Sequence, residues 1–280
     1  MRSQALPDHP GPRTIAIPRS RWRAAPLAVL RAVLLLLHVL AGVLLALPIR
    51  GADIAGVGRR VPRERIAGAW HRTLLRILGV RVSVQGAPLR TPHLLVSNHV
   101  SWLDIPLIGA STGIRFVSRH DVQRWPVAGL LAQACGTFYI ERGAGRSQLT
   151  AAAMRAHLET GSVALFPEGT TTDGTGVAPF RARLFQAALD AGVPVQPVAL
   201  RYTPARDGTP IAPFVDDDAL LPHLLRILRA GELQVELQFL PALFPEERAE
   251  RRALALVSQR HVERALQARC RRPGPGERYQ

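Results

Sequence analysis

The sequence predicts an α/β domain, a mostly parallel or mixed central sheet flanked by helices, with a membrane-associated helical segment at its N-terminal side. Three observations carry that prediction. Apolar runs of strand length alternate with helix-length stretches from about residue 81 to 240. A Leu-, Val- and Ala-rich stretch stands near the N-terminus. Arginine is in excess, giving a net charge of +15 without a single lysine.

A chain of 280 residues can bury a real core, and its 47% hydrophobic content makes disorder an unlikely default. The positive charge favours a polyanionic surface, either nucleic acid or anionic lipid. Residues 1–65 hold eleven arginines against Asp8, Asp53 and Glu64. These arginines flank the most apolar stretch rather than a recognition helix. With an aromatic content of 5% and no arginine–aromatic face, the chain is read as binding membrane lipids and not nucleic acid. Two cysteines are too few for a disulfide framework or a four-ligand zinc site. Cys135, inside an apolar run, reads as a small buried residue.

From residue 24 to 49 the chain is nearly all Leu, Val and Ala, interrupted by Pro26, Arg31, His38, Gly42 and Pro48. The run from 32 to 47 is shorter than the ~20 residues of a straight bilayer span. Arg31 is expected to snorkel to the headgroups and lengthen it. A cleaved signal peptide fits poorly, because the basic region is long and no small-x-small site follows Leu47. A full span should concentrate arginine on one side. Here arginine is dense on both sides, which fits a segment dipping into one leaflet with both ends cytoplasmic. Span and dip stay open, with a buried core helix as the third reading. The expected location is the cytoplasmic membrane, with the active site facing the cytoplasm.

After a polar stretch (51–63), apolar spacing predicts a helix over about 65–78 and a short strand over 81–85. Strands follow at 93–97, 115–118, 137–141, 162–166, 194–201 and 232–240. Helices fall between them near 103–110, 126–134, 148–159 and 181–191. A last, Arg-rich helix at about 245–269 precedes a Pro/Gly tail expected to be disordered. The organisation is thus a basic arm and membrane element (1–63), one catalytic α/β domain (64–270) and a tail (271–280).

Four runs carry chemistry. In Leu94 to Asp104, LLVSNHVSWLD, a buried strand ends in His99 and turns into a helix that begins near Asp104. Open α/β sheets work just beyond the carboxyl ends of their strands. Across such a turn the two side chains can meet. The carboxylate then accepts the proton of one ring nitrogen and leaves the other as a base. Taken alone, the pair reads equally well as a packing histidine and an Asp favouring a helix N-terminus. In Phe166 to Gly174, FPEGTTTDG, Gly169 permits close backbone approach and Thr170 offers a hydroxyl and an amide to a polar ligand. The plainer reading is a tight turn with an exposed Glu168. The strand ending in Arg142 could aim a guanidinium at a phosphate, although a solvated surface arginine is commoner. The run VPVQPV, 193–198, has two prolines that suit an edge or a wall better than a central ladder.

In this order and at these distances the four runs resemble the four motif blocks of the glycerolipid acyltransferase family, whose bacterial members include 1-acylglycerol-3-phosphate acyltransferases. The likeness covers about residues 90–200, and NHVSWLD with FPEGT is the specific combination. It implies a membrane-bound enzyme moving a fatty acyl group from acyl-CoA or acyl-carrier protein to the free hydroxyl of a lysophospholipid. The acceptor implied first is 1-acylglycerol-3-phosphate, and another lyso-lipid such as lyso-ornithine lipid is the alternative. No cofactor is implied beyond the acyl donor. By the same resemblance His99 is the general base and Asp104 its orienting partner. Arg142, Glu168 and Gly169 would help place the acceptor, and Pro197 would shape the pocket. Like charges repel, so Glu168 is assigned to organising Arg142 or a glycerol hydroxyl rather than to a phosphate. One departure bears on acceptor identity: where many members carry Phe-Lys-x-Gly, this chain has Phe180–Arg181–Ala182–Arg183.

Three lesser patterns are set aside. Gly109 to Gly113, GASTG, matches G-x-S-x-G but sits where a helix should continue and not after a strand. The glycine-rich 169–176 loop lacks the lysine of a phosphate-binding loop. His93 and His99 have no third ligand at a persuasive spacing, so no metal is expected.

Overall fold

The computed structural model describes residues 20–58, 61–140, 144–215, 218–245 and 250–268. Its organising strand is β2 (Leu94–Ser97), buried at every position. It pairs in parallel with β6 (Val195–Tyr202) on one side and β5 (Val163–Leu165) on the other. Beyond β5 lie β3 (Arg115–Arg119) and β4 (Phe138–Ile140), also parallel. Beyond β6, β7 (Leu233–Phe239) runs antiparallel and carries β1 (Val80–Gln85) parallel to itself. The seven-stranded sheet is therefore mixed, in the order β1-β7-β6-β2-β5-β3-β4. Because β7 and β1 are reversed, their N-terminal ends lie at the same end of the sheet as the C-terminal ends of the five parallel strands.

Strand side chains alternate between two cores, as the two-residue period requires. Leu95, Val198, Leu200 and Leu237 face α2 (Arg63–Leu78), α3 (Asp104–Thr112) and α7 (Leu220–Arg229), meeting Leu74, Leu78, Leu107 and Ile227. Leu94, Val96, Val163 and Val195 face α5 (Ala144–Leu158), α6 (Gln186–Ala191) and α8 (Arg251–Ala268), meeting Leu158, Ala188 and Val262. Each fully buried aliphatic side chain contributes about 1.5–3 kcal/mol of burial, which fixes the strand register. Between α2 and α3 the backbones approach closely. A Cβ at Gly109 would stand 2.2 Å from His71 Nδ1. Gly113 ends α3 with φ +60, and Ser111 Oγ donates back to Leu107 O at 3.1 Å. The GASTG run is thus a helix end and a packing contact.

The N-terminal apolar stretch forms one helix, α1 (Ser20–Ile54), running through both Pro26 and Pro48. It lies outside the α2/α7 layer, together with α4 (Ala128–Ala134). His38 stacks on Trp70 of α2 at 4.6 Å between ring centroids, and Asp53 pairs with Arg63. The part from Pro26 to Ile54 is long and apolar enough to cross a bilayer, with a mean hydropathy of 2.6 and only 22% of its most apolar window buried. Leu30, Leu36, Leu37, Leu40, Leu44 and Leu47 are exposed. Arg31 does not reach outward as its charge suggests. Its guanidinium turns into the protein and donates to Gly231 O, because a carbonyl acceptor lies within reach there.

Other expectations shift for local reasons. Helix α7 is hidden in the sequence by the Pro-rich residues before it and by Pro222 in its first turn. That position has no intrahelical N–H bond to lose. The strand that Pro194 leads into and that holds Pro197 is not an edge, since β6 lies between β7 and β2. Pro197 stands where the pairing toward β7 slips by one residue, between Val195↔Leu243 and Val198↔Phe239, so its missing N–H interrupts no regular ladder. Helix α5 begins at Ala144 and α8 at Arg251. The basic arm before residue 20 and the tail 271–280 lie outside the described residues.

Candidate active site

The site is built where β2 ends. The backbone leaves β6 after Ser97, and the Asn98 side chain replaces the next rung of the ladder. Its Nδ2 donates to Leu200 O at 2.9 Å, and its Oδ1 accepts from Leu200 N–H at 2.8 Å. This clip holds the chain as it turns, so the following residue, His99, emerges at the sheet end. The imidazole is 18% exposed, and its Nδ1 lies 2.8 Å from Asp104 Oδ2. An ionised carboxylate only accepts, so Nδ1 carries the proton and Nε2 keeps its lone pair. Among the described residues, nothing hydrogen-bonds Nε2. It is the open end of the pair.

Asp104 is completely buried, and its charge is held by donors. Besides the ring, Oδ2 accepts the backbone N–H groups of Val100 at 2.7 Å and Ser101 at 2.9 Å. Oδ1 accepts the Tyr202 hydroxyl at 2.5 Å. Asp104 also opens α3, where the helix dipole favours an anion. Burial, and then the neighbouring carboxylate, push the Tyr202 hydroxyl well above its ordinary pKa, which keeps it a donor.

The FPEGT run closes on the same histidine from β5. The Phe166 ring stacks on the His99 ring at 4.0 Å and 11°. Both oxygens of Glu168 are used inside the protein: Oε1 accepts His99 N–H and Oε2 accepts Ala178 N–H, each at 2.7 Å. Burial raises the Glu168 carboxyl above the usual range, and the two amide donors oppose that rise. Gly169 takes φ +72, and a Cβ there would meet the exposed Arg181 guanidinium at 2.5 Å. Glycine therefore lets that cation lie across the turn. Thr172 N–H donates to His99 O at 2.8 Å, which ties the loop to the turn that follows β2. From α7, His223 Nδ1 accepts Trp102 Nε1–H at 3.0 Å, bracing residues 100–102.

His99, Asp104, Glu168 and Gly169 thus come together. Thr170 is exposed at the rim of the same turn. Pro197 is buried inside the sheet opposite Val96, in the strand next to the one that delivers His99. Arg142 lies outside the described residues. Tyr202 and Asn98 were not singled out from sequence. A tyrosine ending an apolar strand is ordinary, and its partner is fixed only by the strand order. Ser101 is fully buried, with no hydrogen-bond partner for its hydroxyl among the described residues. His93 immediately precedes β2 at the opposite end, with Nδ1 2.8 Å from Thr91 O. Among the described residues no group of three or more His, Cys, Asp or Glu could hold a metal ion.

A buried carboxylate orients an imidazole beside a glycine turn on a mixed α/β sheet, and the Acyltransferase family model matches residues 80–201. The chain belongs to this acyltransferase family, and it is an enzyme. It is 43% identical to the lyso-ornithine lipid O-acyltransferase of Pseudomonas aeruginosa over 77% of this chain and 82% of that protein. It is 33% identical to the 1-acyl-sn-glycerol-3-phosphate acyltransferase of Neisseria gonorrhoeae over 73% of this chain and 82% of that one. Its fold matches the crystal structure of the 1-acyl-sn-glycerophosphate acyltransferase PlsC from Thermotoga maritima, with a TM-score of 0.65 and 17% identity, covering 91% of this chain and 99% of the other.

Proposed function

We propose that this enzyme transfers a fatty acyl group from a thioester, acyl-CoA or acyl-carrier protein, to the free hydroxyl of lyso-ornithine lipid. The observation that carries the reaction is the open Nε2 of His99 opposite its bond to Asp104. Nε2 takes the acceptor proton as the hydroxyl oxygen attacks the thioester carbonyl. The C–O bond forms, the C–S bond breaks, and the proton passes from Nε2 to the departing sulfur. A base so placed contributes ~10²–10⁴-fold, and holding two substrates in line adds to it. Glu168 acts by fixing the His99 backbone, since both its oxygens are occupied. Arg181 over Gly169, with Arg142 and Thr170, is suited to the polar headgroup.

The acceptor reading rests on the relatives, 43% identity on the lyso-ornithine side against 33% on the glycerophosphate side. The second reading, 1-acylglycerol-3-phosphate, draws on the latter. Helix α1 is the membrane element, and arginine on both of its flanks favours a dip into one leaflet of the cytoplasmic membrane, with the site open to the cytoplasm. The test is acyl transfer by the purified protein, offered both acceptors in parallel with each donor. Product from lyso-ornithine lipid at several times the rate seen with lysophosphatidic acid is expected, and the reverse order overturns the acceptor assignment. Rapid-quench mass spectrometry with acyl donor alone should find no covalent adduct. A stoichiometric adduct on Ser101 would defeat direct transfer.

A further inference from the structure

At the active-site end of the sheet, but on its β1/β7 side, a cavity of about 290 Å³ is lined by Arg31, Arg76, Gly79, Val80, Arg81 and Glu232. Three arginines from three elements line it: Arg31 from α1, Arg76 from the last turn of α2, and Arg81 from β1. One carboxylate opposes them, and it is occupied. Glu232 Oε2 lies 2.8 Å from Arg81 Nε, and its Oε1 accepts Gln234 Nε2–H at 3.2 Å. Among the described residues, Arg31 bonds only the Gly231 carbonyl. The Arg76 side chain has, among the described residues, no hydrogen bond and no ion pair. Two cations with no ion pair among the described residues thus line one concave site, whose single carboxylate is engaged by Arg81, an arrangement that an incoming anion stabilises.

We propose that this cavity binds the phosphate of an anionic phospholipid, a non-catalytic site that fixes how the domain sits on the bilayer. Helix α1 identifies the lipid source. Leu27 and Leu34, one helical turn before and after Arg31, share its face of the helix and are exposed, as is Leu30 beside it. A phosphate held by Arg31 would have an apolar track beside it for its acyl chains. The inference rests on α1 being the membrane element, and its test separates the two.

The experiment is flotation of the full-length protein on phosphatidylcholine vesicles with and without phosphatidylglycerol, at physiological salt. Wild type should bind both and prefer the anionic vesicles. Arg76→Gln should lower that preference about 5-fold, near ~1 kcal/mol for a basic residue at an anionic surface. Binding to pure phosphatidylcholine should be unchanged. Arg76 has no protein partner to lose, so this variant should fold; Arg31→Gln then serves as the second variant. The control, Arg252→Gln with Arg260→Gln on α8, should leave the preference intact. Equal losses in control and test variants would reduce the effect to general surface charge and overturn the site. Binding of inorganic phosphate as tightly as anionic vesicles, blocked by Arg76→Gln, would make free phosphate the ligand and overturn the lipid assignment. Failure of wild type to float on any vesicle would instead remove the membrane role of α1.

Discussion

Two regions at the same end of the sheet handle charge in opposite ways. Past β2, the carboxylates of Asp104 and Glu168 are buried, yet every oxygen meets a donor supplied by the protein. Past the reversed strands β1 and β7, Arg31 and Arg76 line one cavity and, among the described residues, neither pairs with a carboxylate. The first region is internally satisfied, the preorganisation that the proposed role of His99 as base requires, with one ring nitrogen left open. The second is incomplete, and it is suited to binding and not to chemistry. Internal satisfaction marks a site that positions; its absence marks a site that receives.

Breaking the satisfied region should have the larger effect. Asp104→Asn keeps the shape but points an amide at the donors of Val100, Ser101 and Tyr202, and it no longer fixes the imidazole tautomer. Turnover should fall ~10²–10⁴-fold while thermal unfolding stays cooperative. A loss under ten-fold would mean that the carboxylate does not orient the base. Glu168→Gln removes one acceptor from the His99 or Ala178 amide and should cost ~10-fold in turnover with little change in KM. A KM effect alone would move Glu168 to acceptor binding.

The first of these regions was legible in the sequence to an uneven degree. The approach of His99 to Asp104 follows from a buried strand breaking into a helix, and the four-block order located the FPEGT turn beside it. What could not be read were contacts across the sheet. Tyr202 reaches Asp104 only because β6 neighbours β2, and Glu168 binds two backbone amides that no side-chain pattern marks. Strand alternation predicted the α/β class, but the reversal of β7, which creates the arginine cavity, is a matter of topology. Pro222 and the loop before it concealed α7, and with it the His223 brace under Trp102.

A third buried group sharpens the comparison from the side of stability. His71 packs against Gly109 with no hydrogen-bond partner for its Nδ1 among the described residues, and burial lowers its pKa to about 4. A depressed histidine is neutral when folded, so the unfolded chain takes up the proton first. Its contribution is intact above pH 6.5 and is lost as pH falls from there toward 4. His71→Leu should therefore flatten the fall of Tm over that window. An unchanged slope would mean that other groups carry the acid sensitivity. The effect should be small beside the loss of activity in Asp104→Asn.

The most direct test of the chemistry is single-turnover acyl transfer by His99→Ala, reconstituted on vesicles with lyso-ornithine lipid and acyl donor. With Nε2 gone, the rate should fall at least ~10²-fold while vesicle binding matches wild type. Turnover near the wild-type rate in a folded, membrane-bound variant would contradict the assignment of His99 as the base.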